Sequence, residues 1–318
     1  MSLAILSARN IRHFCKVLSL DDQAEQMSND YRTPQREARE VLIWDTSAIN
    51  ALSREMDRRE LIVRMNNSGN VNRIPMYVFD EIAATQNSEK RAQLLETCRE
   101  LKSDSEMIIL LSPWHVIEAG VRMFWEADEI DWEILFRAIP EYEKALASGD
   151  VFDDELARIQ KEQNRKNLQR FEDYVAQART QFKRLFPAEM CVDETIDDIA
   201  IRARRTGLIQ HNVRYYCESI LGHSVESRDL ERFSARFLPI HAMIYAFLFA
   251  HTHRNKTAVA LRPAGAIDLL ASVYLPVCHG FVTDDQAQQS VLRDVLRCCS
   301  IRTEVVWFSG VLREKYHR

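Results

Sequence analysis

The chain lacks an excess of positive charge, any CxxC pair, any apolar run long enough for a membrane span, and any internal repeat. Its 318 residues carry a net charge of -5 and a pI near 6.0. The molecule as a whole is therefore not an electropositive nucleic-acid binder, and a polyanion would have to be gripped by a local basic surface or through bound cations. The seven cysteines (Cys15, Cys98, Cys191, Cys217, Cys278, Cys298 and Cys299) are odd in number, and chain neighbours such as Cys298 and Cys299 rarely bridge. Reduced thiols in a reducing compartment are expected. The most apolar stretch, Phe237 to Ala250, has 14 residues and holds a proline and a histidine. That is short of the ~20 residues a bilayer span needs, so a buried helix is expected. Arg9, Arg12, His13 and Lys16 interrupt any signal-peptide core in the first twenty residues. A soluble, cytoplasmic protein is the expectation. His241, His251 and His253 lie close in sequence without the HExxH spacing of a zinc helix, so they read as core or surface histidines.

What is present is enough apolar sequence, 46%, to fill a sizeable core, and an alternation of element types. Residues 1–40 read as a helical lead-in. VLIW (Val41 to Trp44) is a short apolar run stopped by Asp45-Thr46-Ser47, which suits a strand buried on both faces of a parallel sheet. Residues 48–65 have helical periodicity, Asn66 to Asn72 (NNSGNVN) reads as a turn, and Ile74 to Phe79 as a second strand ending at Asp80-Glu81. A polar helix over 82–102 leads to a third strand, Met107 to Ser112, closed by Pro113. From 113 to 262 glycine is scarce and apolar positions recur at helical spacing, with a long amphipathic helix expected over 150–186. The α/β pattern returns with a helix over 263–277, a strand at Phe281-Val282-Thr283, a helix over 286–297 and a last strand, Glu304 to Trp307. The expected fold is an α/β class with a parallel sheet. Its domain would be discontinuous, 41–112 and 263–318, interrupted by an all-helical insertion over 113–262.

Acidic residues fall where such a sheet makes them useful. Asp45 follows the first strand, Glu81 the second, and Asp284 and Asp285 the late one, while Asp268 lies in the helix before it. Side chains at the carboxyl ends of neighbouring parallel strands converge on one crevice. Several carboxylates together need protons or divalent cations to neutralise them, and oxygen-only donors select Mg²⁺ or Mn²⁺ over zinc. Each position has a plainer reading: Asp45 as a helix N-cap, Glu81 as a first-turn charge, and one of Asp284 and Asp285 as a cap. Asp268 is the most telling, because a carboxylate in an otherwise apolar helix is costly without a partner.

VLIWDTSAINAL (Val41 to Leu52), IPMYVFDEI (Ile74 to Ile82), AIDLLASVYLP (Ala266 to Pro276) and FVTDD (Phe281 to Asp285) resemble, in order, the four motifs of PIN-domain nucleases. The 15 residues from Asp268 to Thr283 are close to that family's helix-plus-strand interval. The resemblance implies a Rossmann-like, three-layer α/β/α sheet and Mg²⁺- or Mn²⁺-dependent endonucleolytic hydrolysis of RNA. It implies that Asp45, Glu81, Asp268 and Asp285 are ligands or water-activating carboxylates, with Asp284 one residue off the pattern and able to substitute. Thr46, Ser47 and Thr283 resemble the hydroxyl residues that hold those carboxylates or a bound water. Arg54, Arg58 and Arg59 follow the first motif and could meet phosphates; Arg202, Arg204 and Arg205 form another basic group. Glu118, just after the third strand, is a further acid within possible reach. The large insertion departs from small members of the family. It is expected to act as a lid or wall to the cleft, or as a surface for a homodimer or a regulatory partner.

Two other readings stand beside this one. A haloacid-dehalogenase-like phosphatase also begins with an apolar strand ending in Asp, but its chemistry wants a second Asp two residues on, where this chain has Ser47. A catalytically weak PIN-like fold could instead serve as an RNA-binding or interaction scaffold.

Overall fold

The computed structural model describes residues 40–102, 108–136, 140–148, 194–257 and 265–317, with short pieces between 154 and 185. The lead-in over 1–39 and most of the helix expected over 150–186 lie outside the described residues.

Five parallel strands form one sheet: β1 (Val41–Trp44), β2 (Val71–Pro75), β3 (Ile109–Leu110), β4 (Gly280–Thr283) and β5 (Glu304–Trp307), in the order β3-β2-β1-β4-β5. The strands are short and apolar because both faces are covered. Along β1 the side chains alternate between two cores: Leu42 and Trp44 on one face, Ile43 on the other. Val282 and Val306 continue the first face, Phe281 and Val305 the second. Trp44 also carries a polar hydrogen. Its Nε1 donates to Asn72 Oδ1 at 2.8 Å, and Asn72 Nδ2 donates to Asn66 Oδ1 and to the Leu101 carbonyl, so a buried amide is satisfied at both ends.

The first face is covered by α1 (Thr46–Leu52), α2 (Arg58–Asn67), α3 (Met76–Ala83) and α4 (Ser88–Leu101), joined by Phe308, Leu312 and Tyr316 from the C-terminal segment. On the other face lie α5 (Pro113–Ala127), α8 (Ile196–Arg205), α9 (Leu208–Leu221), α10 (Ser227–Arg236), α11 (Leu238–Thr257), α12 (Gly265–Leu270) with its 3₁₀ continuation Ala271–Val277, and α13 (Gln286–Cys299). Between α5 and α8 come the short α6 (Trp132–Leu135) and α7 (Pro140–Ser148), and α14 (Arg313–His317) ends the chain. Helices α5 to α11 arise from the segment expected as an insertion. Their buried residues, such as Val121, Phe233, Met243 and Phe249, join Ile43, Phe281 and Val305 in one continuous cluster. Apart from α7, whose Leu146 lies in the first core, they form the second layer over the sheet. From α7, Glu143 reaches the edge strand, accepting the backbone N–H groups of Ile108 and Ile109 and pairing with Lys102 at 3.0 Å.

The strands at β1, β4 and β5 fall where the sequence places them. The second strand does not. It begins at Val71, inside the expected turn, and stops at Pro75; Met76 to Ala83 is helical. Only Ser68 to Asn70 turns, with Gly69 at φ 82°, a left-handed conformation that glycine adopts without strain. The five described cysteines, Cys98, Cys217, Cys278, Cys298 and Cys299, are free thiols. Among the described residues no single helix is long and apolar enough to cross a membrane; α10 with the apolar part of α11 passes only as a pair bent by 87°.

Candidate functional site

The chain leaves β1 toward one face of the sheet and β4, its neighbour, toward the other: α1 packs in the first core and α13 in the second. A crevice opens at the carboxyl ends of two strands that part in this way. Asp45 stands at its floor. Its backbone is extended (φ -89°, ψ 161°), its N–H donates to the Val282 carbonyl at 3.0 Å, and it is only 3% exposed. It is indeed the N-cap of α1, with Oδ2 accepting the Ser47 N–H at 3.2 Å and the Ser47 hydroxyl at 2.8 Å. That role uses one oxygen. The other, Oδ1, is buried and has no hydrogen-bond partner.

Thr283 and Ser47 stitch the two strand ends together. Their hydroxyls are 3.1 Å apart, Thr283 Oγ1 is 3.4 Å from Asp45 Oδ2 and 2.5 Å from Gln288 Oε1, and the Asp284 N–H donates to Ser47 Oγ at 2.8 Å. The two adjacent acids then diverge. Asp284 Oδ1 accepts the Ser309 N–H at 3.0 Å, which turns its carboxylate toward the segment after β5. Asp285 is exposed, caps α13 by accepting the Gln288 N–H at 2.9 Å, and stays on the crevice side. Gln288 also donates from Nε2 to the Asp268 carbonyl at 3.0 Å, which ties α12 to the same corner.

Glu81 lies in the second turn of α3 rather than at a strand end, and Thr46 Oγ1 donates to its Oε2 at 2.5 Å. The electrostatics tie the acids together. Burial pushes the Asp268 carboxyl up to about 8, and the charges of Asp45, Glu81 and Asp285 add to the effect. Burial likewise pushes Glu81 up to about 7; the Asp45 charge reinforces it and the Thr46 hydrogen bond opposes it. Asp45 is raised by burial and by the Asp285 charge, against the hydrogen bonds from Ser47 and Thr46. Asp45, Glu81, Asp268 and Asp285 thus share one electrostatic neighbourhood.

No family model, curated protein or solved structure matches this chain. The assignment of the site rests on its own residues.

Several other expected residues are placed elsewhere. Arg58 and Arg59 are committed to α4: Arg58 donates to Glu100 at 2.5 and 2.9 Å, and Arg59 to Glu100 at 2.7 Å and Glu96 at 2.9 Å. Two carboxylates already neutralise these guanidinium groups, which leaves little of their charge for phosphates. Arg54 is exposed just beyond the C-terminal end of α1, the end away from Asp45. Glu118 pairs with Arg122 on α5 at 3.1 Å, and His241 is held by Ser234 at 2.8 Å. Asp80, next to Glu81, faces away from it toward Tyr142 at 3.3 Å; burial lifts its carboxyl to about 7.

One residue that the sequence reading passes over belongs here. Tyr77 stands one helical turn before Glu81 on α3, its ring packs against both cores, and its hydroxyl oxygen is buried without a hydrogen-bond partner. The charges of Asp45, Asp268 and Glu81 all bear on it. The i, i+4 spacing with Glu81 is the signal that could have found it, but a strand reading of Ile74 to Phe79 hides that spacing.

Proposed function

We propose that this chain is a PIN-like, Mg²⁺- or Mn²⁺-dependent endoribonuclease. The observation that supports the proposal is that Asp45, Glu81, Asp268 and Asp285, from four separate segments, are linked by their charges around the carboxyl end of β1. The donors fit a hard divalent cation: all are carboxylate oxygens, and Asp45 Oδ1 is buried with nothing to bond to. Among the described residues no three His, Cys, Asp or Glu side chains are already gathered as a ligand set. Asp45 would hold the ion, with Asp285, Glu81 and Asp268 as the further donors. When bound, such an ion supplies an activated water and stabilises the leaving oxygen of a phosphodiester.

The chain's own part is to hold these carboxylates ready. Ser47 and Thr283 fix Asp45, and Thr46 fixes Glu81 and favours its ionised form. Asp268, whose carboxyl burial pushes up to about 8, is suited to take up a proton during turnover. RNA as the substrate follows from the resemblance of the four motifs.

The test is cleavage of labelled single-stranded RNA with Mn²⁺. EDTA should abolish cleavage, and Asp45→Asn should lower the rate by at least about 10²-fold. The variant should keep a thermal midpoint at or above that of the parent, because a buried charge is removed. Release of phosphate from small monoesters would favour the phosphatase instead, and RNA binding without cleavage would favour the scaffold.

A further inference from the structure

We propose that the Tyr77 hydroxyl is a catalytic hydrogen-bond donor, contacting a non-bridging oxygen of the phosphodiester within the acidic crevice. The proposal rests on the nuclease reading and adds a residue to it. Placement comes first. Ile43 pairs with Arg73 in the β1–β2 register, so Asp45 and Pro75 lie level, and Tyr77 follows as the second residue of α3. Glu81, one turn on, shares its face of the helix. Tyr77 packs against the cores of both sheet faces, which puts it at the carboxyl edge of the sheet beside the crevice.

The state of the hydroxyl comes next. It is buried and unpartnered, an unfavourable condition that phenylalanine would avoid with the same ring. Carboxylates whose charges reach it are near, yet none accepts its hydrogen. Burial and those charges push the phenol well above its ordinary value, so it stays protonated and remains a donor. An acidic crevice repels the negative charge that builds on a phosphate in the transition state, so donors are what it needs. Arg58 and Arg59 do not supply them, since both are spent on Glu96 and Glu100. Tyr77 is a neutral donor in place.

The test compares the full-length chain with Tyr77→Phe, measuring kcat and KM on single-stranded RNA with Mn²⁺, the Kd for Mn²⁺ alone, and the thermal midpoint. Loss of one transition-state donor predicts a kcat lowered about 10²–10³-fold, with KM and the Mn²⁺ Kd within about threefold of the parent. The loss should be the same at every pH, and the midpoint should not fall. A variant that cleaves within threefold of the parent overturns the role. So does one that loses Mn²⁺ binding along with rate, which would make Tyr77 structural. A parent chain that binds Mn²⁺ but cuts no RNA sinks the nuclease reading and this role with it, a pattern distinct from an active parent matched by its variant.

Discussion

Thr46 spends its hydroxyl on Glu81, and that bond eases the loss of a proton that burial holds on the carboxyl. Burial and the Asp45 charge hold Glu81 near 7, with the Thr46 bond acting in the opposite direction. Thr46→Val keeps the side-chain shape and removes the donor. The Glu81 proton is then held more tightly, so the pH at which Mn²⁺ uptake is half complete should move upward. A pH series of Mn²⁺ affinities on parent and variant checks this, and coincident curves would show that Thr46 does no more than start a helix. The same scale explains why Asp45 has two readings that are both correct. Its Oδ2 does the work of a cap and its Oδ1 does none, and sequence alone cannot divide one carboxylate between two tasks.

At the scale of elements, the sheet was largely legible. Runs such as Val41 to Trp44 and Glu304 to Trp307, bounded by polar residues, could pack in few other ways. The second strand was misplaced for two physical reasons. Met76 to Phe79 is uniformly apolar, and such a run has no period to separate strand from helix. Asn72, which looks like a turn residue, is buried in β2 because Trp44, Asn66 and Leu101 satisfy its amide. Distant partners overrode local propensity. Asp45, Glu81 and Asp285 stood out in the sequence because each lies near the end of an apolar run, and Asp268 because it interrupts an otherwise apolar helix. Tyr77 did not, since its meaning depends on the helix. Packing between elements yields its own prediction. Gly120 on α5 lies directly against the ring of Phe237, which stacks on Phe233 and Trp132 at the corner between α10 and α11. Gly→Ala in a helix usually stabilises by ~1 kcal/mol. Here the added methyl would press on a ring that cannot withdraw, so Gly120→Ala should destabilise by about 1–3 kcal/mol in urea unfolding. A gain in stability would show the corner to be looser than described.

For the whole molecule, the helices from α5 to α11 and the sheet stand or fall together. Replacing residues 113–257 by a short linker would uncover Ile43, Phe281 and Val305. The shortened chain should show no cooperative urea transition; a sharp one would mean that the sheet and its first layer fold alone. Stability should also vary with pH in a defined direction. Asp268, Glu81 and Asp80 hold their protons in the folded state up to about 8, 7 and 7, against ordinary values of 3.8, 4.5 and 3.8. Between those limits the folded form binds more protons than the unfolded, so stability is full below the ordinary values and declines as pH rises to about 8. Thermal midpoints of the EDTA-treated protein should fall across that window, and Mn²⁺ should restore them at its upper end.

The most direct measurement is calorimetric titration of the purified chain with Mn²⁺ in two buffers of different ionisation heat. Binding should release about two protons at about pH 6, where Glu81 and Asp268 are both protonated, and fewer than one at about pH 8.5. Asp45→Asn should weaken the uptake sharply. No uptake at any pH, or uptake indifferent to Asp45, would contradict the account.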